Sequence, residues 1–174
     1  MSNYSQAIAL RHEFNQEIDQ VQQILWVGIG CKRGTSCQLI DQAIEQVFRE
    51  NQLFQSAIIG IATIDTKASE VGLVELCRLR NLPLRTFSAE ILRSICVPNP
   101  ATIIDHEVGT PSVAEAAAVL AAYQLTSLSV FPFTTIEELQ VRFLVPKRIF
   151  QLQGQPGAVT LAVAQASNIS ITIY

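Results

Sequence analysis

Between two apolar runs the chain carries Gly28-Ile29-Gly30-Cys31-Lys32-Arg33-Gly34-Thr35-Ser36, which brings three glycines, two adjacent cations, a thiol and two hydroxyls together. This is the composition of an anion-binding turn. Glycines let the backbone N–H groups come close to a ligand, and Lys32 and Arg33 add full charges. The spacing argues against a nucleotide. A dinucleotide loop needs G-x-G-x-x-G and an acidic residue about 20 residues further on. Here the third glycine comes one residue late, and the acid after the next apolar run, Asp65, lies 31 residues beyond Gly34. A Walker loop needs Gly-Lys-Ser/Thr, which is not present in this stretch. What survives is a general anion-binding reading for Gly30, Cys31, Lys32, Arg33, Gly34 and Thr35, against the plainer reading of a tight turn with solvated cations.

Three further motifs fall at similar places. Thr63, Asp65, Thr66, Lys67 and Glu70 crowd into TIDTKASE, where an Asp-x-Lys pair can be no more than a surface ion pair of small worth. In FSAE, Ser88 reads as a helix cap with Glu90 in the first turn. In VGTPSVAEA, Gly109, Thr110 and Ser112 surround a second helix start. Thr110 is the expected cap there and Pro111 suits the first helical position. Val113 at the third position makes no capping box, so first-turn donors stay open to an acidic ligand. Glu115, further in, reads as solvated or paired.

Other chemistry finds little support. The histidines, His12 and His106, stand apart, and a lone imidazole builds no metal site, so no metal or cofactor is expected. No Ser-His-Asp or Cys-His arrangement is evident. Cysteines 31, 37, 77 and 96 contain no CxxC, which argues against disulfides and structural zinc. Cys37 and Cys77 fall in helical patterns and read as core residues.

The elements that must position these motifs follow from periodicity. Residues 4–22 form an expected N-terminal helix, an extension over 1–23, and 24–174 form one domain. ILWVGIG (24–30) reads as a strand, and 36–51 as a helix with Ile40, Ala43, Ile44 and Val47 on one stripe. The unbroken apolar run 56–63 suits a strand buried on both faces. Ser69 is the expected cap of a helix through Leu73, Leu76 and Cys77. A strand at 83–87, a short helix at 89–94 and a helix at 110–123 follow. VRFLVP (141–146) and AVTLAVAQA (158–166) read as a closing strand pair joined by the turn-rich 151–157, with ITIY an edge strand or a tail.

This alternation predicts an α/β fold, a three-layer α/β/α sandwich around a mixed, largely parallel sheet. Ligands in such folds collect at the carboxyl ends of the strands, where all four motifs lie. With 49% apolar and 16% charged residues and a net charge of −3, the chain has a large core and no basic arm for nucleic acid. The polar start SNYSQ is unlike a secretory signal, and no apolar run reaches the length of a membrane span. A cytoplasmic protein with neither nucleic-acid nor membrane partners is expected.

VGIGCKRGTS, ATIDTKASEVGL, LPLRTFSAEIL, VGTPSVAEAAAVLAA and LVPK, in this order and spacing, resemble the C-terminal domain of CbiG, which also occurs alone as CobE. The resemblance covers residues 24–122 and 143–165 and implies an α/β/α domain that serves cobalamin biosynthesis. It departs from the family pattern in a lengthened connection at 123–141 and in the 4–22 helix. It implies a precorrin or corrinoid partner, with cobalt present only if that ligand carries it, and another enzyme of the pathway as a second partner. Full CbiG looks like a hydrolase that opens the lactone of cobalt-precorrin-5A with release of acetaldehyde. Its N-terminal domain has no counterpart in these motifs, which sets a non-catalytic binding module beside a hydrolase. For lactone opening, Asp65 or Glu90 would be the general base and Lys67 would polarise the carbonyl. Ligand carboxylates would meet Gly30, Cys31, Lys32, Arg33, Gly34, Thr35, Thr63, Ser88, Gly109, Thr110 and Ser112.

Overall fold

A computed structural model describes residues 23–95, 112–124 and 141–166. The expected helix at 4–22, both histidines, Cys96, Gly109, Thr110 and the connection 125–140 lie outside the described residues. Strands β1 (Leu25–Cys31), β2 (Ile58–Ile64), β3 (Leu84–Phe87), β4 (Arg142–Phe150) and β5 (Val159–Gln165) form one sheet in the order β3-β2-β1-β5-β4. The β1–β2 and β2–β3 ladders are parallel, while β1–β5 and β4–β5 are antiparallel. The sheet is therefore mixed, with β5 alone running against the other described strands.

Side-chain alternation along the strands feeds two cores. Leu25, Val27 and Ile29 of β1 and Val159, Leu161 and Val163 of β5 face helices α1 (Cys37–Glu50) and α2 (Val71–Leu79). Those helices contribute Leu39, Ile40, Ile44, Phe48, Leu73 and Leu76, so this layer is filled by large aliphatic and aromatic side chains. Cys37 and Cys77 are buried in it, as expected. Trp26, Ala62, Ala162 and Ala164 face the other way, against α3 (Ala89–Arg93) and α4 (Val113–Gln124). There α4 is buried from Ala114 to Ala122 and is almost all alanine, valine and leucine. Small residues on both partners let the helix lie close to the sheet.

Two helix starts follow the sequence expectation and one corrects it. The Ser36 hydroxyl caps α1 by accepting from the Leu39 amide at 3.1 Å, and Ser88 caps α3 by accepting from Ile91 at 3.3 Å. Ser69 does not cap α2. The cap position belongs to Glu70, whose side chain makes no capping bond. For α4 the first helical bond runs from the Ala116 amide to the Ser112 carbonyl, at 3.1 Å. The helix thus begins directly after Ser112, at Val113, and the expected cap Thr110 lies outside the described residues.

Candidate functional site

The sheet order places the carboxyl ends of β1, β2 and β3 side by side, so the segments 32–36, 65–70 and 88–90 emerge at one edge. The α4 start joins them. A Cβ built on Gly30 would lie 3.9 Å from the Val113 Cβ, and the helix then runs back along β1 toward Gly28. The described parts of the four motifs thus share one end of the sheet.

The glycines of the opening motif divide into two jobs. At Gly28 a Cβ would fall 1.8 Å from the Ala114 carbonyl oxygen, so only glycine admits α4 at this distance. Gly30 is crossed by Thr160, whose Oγ1 donates to the Gly30 carbonyl at 3.2 Å. These two positions are packing sites on the α4 face. Gly34 is different. It has φ +77°, a left-handed turn that favours glycine, and open space where a side chain would be. The spacing that mimicked part of a dinucleotide fingerprint is the sum of these unrelated demands.

The turn consumes many of its own donors. The Lys32 amide donates to the Ala158 carbonyl, and the Thr35 amide and hydroxyl both donate to the Lys32 carbonyl, at 3.2 and 2.7 Å. Thr35 is buried, whereas Lys32, Arg33 and Gly34 are exposed. The Gly34 amide reaches across to the next loop and donates to Glu70 Oε1 at 2.7 Å. The second oxygen of that carboxylate lies 3.6 Å from Lys67 Nζ. Glu70 therefore ties the β1–α1 turn to the loop after β2. A contact across 36 positions leaves no local pattern, so the sequence of the motif assigns Glu70 no role.

Thr63, expected as a ligand donor, is fully buried and gives its hydroxyl to the Ile29 carbonyl at 2.6 Å, a link between neighbouring strands. Asp65 opens an exposed 3-10 turn through Lys67, and Glu90 is exposed in the first turn of α3. The two carboxylates thus stand on separate loops of one edge. Cys31 ends β1, half-buried, and burial pushes its thiol up to about 11, with Lys67 opposing and Glu70 adding to the shift. At neutral pH it is a protonated thiol and a poor nucleophile. Ser112 is buried, and its hydroxyl has no hydrogen-bond partner.

Of the two alternatives expected for Glu115, solvated or paired, the structure shows the second, in a buried setting. Glu115 is 0% exposed and accepts from the Lys147 backbone amide at 2.8 Å. The ladder explains why that amide needs a partner. Val145 faces Val163 and Arg148 faces Leu161, so Pro146 and Lys147 oppose Ala162 alone, which is a bulge. The proline has no N–H, and the extra residue loses its place in the ladder. A buried carboxylate on α4 receives it. Among the described residues no group of three His, Cys, Asp or Glu side chains could hold a metal ion, and no helix is long and apolar enough to cross a membrane.

A mixed five-stranded sheet between helical layers, with polar loops gathered at the carboxyl ends of its parallel strands, defines an α/β domain. The family model described as cobalamin synthesis G C-terminus matches residues 25–164, and the chain belongs to that family. Two curated relatives named cobalt-precorrin-5A hydrolase are each 32% identical, from Priestia megaterium over 98 residues and from Salmonella typhimurium over 101 residues. These matches cover 56% and 58% of this chain but only 26% and 29% of the relatives. The crystal structure of CobE, a protein from the cobalamin biosynthetic pathway, is similar with TM-score 0.65 and 25% identity, over 83% of this chain and 94% of that one. The cobalamin biosynthesis protein chiG from Agrobacterium tumefaciens gives TM-score 0.53 and 26% identity, over 83% of this chain and all of that one.

Proposed function

We propose that this cobalamin-biosynthesis family member binds a corrinoid or precorrin intermediate through its peripheral carboxylates, at the edge where β1, β2 and β3 end. The observation that carries the reading is the position of the cations. Lys32 and Arg33 are exposed on the first loop and Lys67 stands on the adjacent one, beside apolar strand ends. A corrin precursor is a broad apolar ring fringed with acetate and propionate groups. Separate cations on adjacent loops match that chemistry better than one phosphate cradle.

The local bonding refines how such a ligand would be held. The amide of Lys32 is spent on the Ala158 carbonyl and that of Thr35 on the Lys32 carbonyl, so side-chain charge carries most of the attraction. Charge-assisted hydrogen bonds contribute about 1.5–3 kcal/mol each. The test is an absorbance titration with cobyrinic acid, a corrin bearing free carboxylates, and with its fully esterified form. Saturable binding of the acid and far weaker binding of the ester is the expected result. Equal binding of both would remove the carboxylates from recognition.

The names of the curated relatives support a second reading, in which the chain takes part in cobalt-precorrin-5A hydrolysis. Asp65 or Glu90 would then act as general base and Lys67 would polarise the lactone carbonyl. Acetaldehyde released from cobalt-precorrin-5A by this chain alone supports catalysis. Binding without release keeps it a binding module.

A further inference from the structure

One carboxylate already sits among the donors just described, and it belongs to the chain. Glu70 occupies the cap position of α2, where a short acidic side chain commonly accepts from its own helix's first amides. Glu70 makes no such bond. It extends instead to the Gly34 amide at 2.7 Å and to Lys67 Nζ at 3.6 Å, donors on two different loops. The Lys67 and Glu70 side chains are 20% and 11% exposed, so the pair is partly withdrawn from water yet open on one side. Beyond its chain neighbours no atom lies within 4 Å of a Cβ built on Gly34, so the turn is open on that side.

We propose that the Gly34 amide and the Lys67 ammonium form a carboxylate-binding subsite, filled by Glu70 in the unliganded chain and vacated when a ligand carboxylate replaces it. The proposal deepens the preceding reading and rests on it for the nature of the ligand. The chemistry is an exchange of one carboxylate for another on the same two donors, so no buried charge is left unpaired at either end. Glu70 is freed to an exposed loop, where a carboxylate is well solvated. It therefore acts as an internal competitor that selects ligands able to place a carboxylate here.

A fixed staple and an internal competitor predict opposite signs. Losing a staple loosens the two loops and weakens ligand binding; losing a competitor strengthens it. In Glu70→Ala, propionate added to the labelled protein is expected to shift the Gly34 amide resonance in a saturable way. The wild type should need about tenfold more propionate, the equivalent of one charge-assisted bond. Adding Lys67→Ala to Glu70→Ala should abolish the response. Cobyrinic acid should bind Glu70→Ala about tenfold more tightly than wild type, with the fully esterified corrin unchanged. Glu70→Gln keeps an acceptor for Gly34 and loses the charge opposite Lys67. It should bind cobyrinic acid with intermediate affinity, and it carries the test if the alanine variant does not fold. Weaker or equal cobyrinic acid binding in both variants would make Glu70 a staple and overturn the proposal, as would a Gly34 resonance indifferent to propionate. A propionate response without any cobyrinic acid binding, in wild type or variants, would uphold the subsite and sink the corrinoid reading alone.

Discussion

The two halves of the opening motif look alike in sequence and are opposites in the molecule. Gly28 and Gly30 lie within the sheet, where α4 and Thr160 press on them and a side chain has no room. Lys32, Arg33 and Gly34 follow just after the strand, exposed at the sheet edge, with open space at Gly34. One half answers to packing and the other to solvent and ligand. Glycine at a helix–strand contact and glycine in a turn are the same letter under different constraints, so a glycine pattern by itself cannot separate a fold requirement from a binding loop.

Breaking the packed half should have the largest effect. Gly28→Ala places a methyl group against the Ala114 carbonyl, backbone that can move only if α4 moves. Overpacking of this kind costs about 3 kcal/mol or more, read as a lower urea midpoint or as loss of soluble protein. Glu115→Ala is next. It leaves the Lys147 amide of the β4 bulge without its acceptor, which costs about 1–3 kcal/mol. Glu115→Gln, which can still accept, should lose less.

The solvent-facing half should respond in the opposite way. Lys32→Ala with Arg33→Ala removes exposed cations and should change stability by less than about 1 kcal/mol. The same double variant should weaken cobyrinic acid binding by about tenfold or more. A large stability loss with intact binding would make the loop a structural turn. The smallest effect concerns Cys31, on the boundary between the halves. With its thiol pushed up to about 11, iodoacetamide labelling should be slow at pH 8 and climb toward pH 11. The linked stability has a definite sign. The unfolded thiol loses its proton near 9, so stability tied to the protonated form is present below that pH and falls as pH rises through about 11.

Much of the fold was legible because its signals are local. Unbroken apolar runs marked β1 and β2, and Ser36 and Ser88 marked the starts of α1 and α3, where each hydroxyl accepts from the amide three residues on. The misreadings have physical causes. Helix α4 is buried around most of its surface, so it has no polar stripe to decide whether Glu115 is solvated or, as the structure shows, paired inside. Ser69 looked like a cap because nothing local shows that Glu70 takes that position and turns its carboxylate to Gly34. Thr63 looked like a donor at a strand end, yet its hydroxyl is committed to the neighbouring strand. Within the candidate site, sequence marked which loops meet, and the structure shows which of their donors are already engaged.

An alternative location exists and makes the central claim testable. A groove of about 370 Å³ runs between α1 and α2, lined by Cys37, Gln38, Asp41, Glu75, Leu79 and Arg80. Arg80 there is already engaged by Asp41 at 2.6 Å and by Gln55 at 2.9 Å. Mapping amide shifts of the labelled wild-type protein during titration with cobyrinic acid would distinguish the two places directly. The account predicts that the perturbed amides cluster at 30–36, 63–70, 88–90 and 112–115. Perturbations centred on Asp41, Glu75 and Arg80, or on the opposite strand ends at Leu25, Ile58 and Leu84, would contradict it.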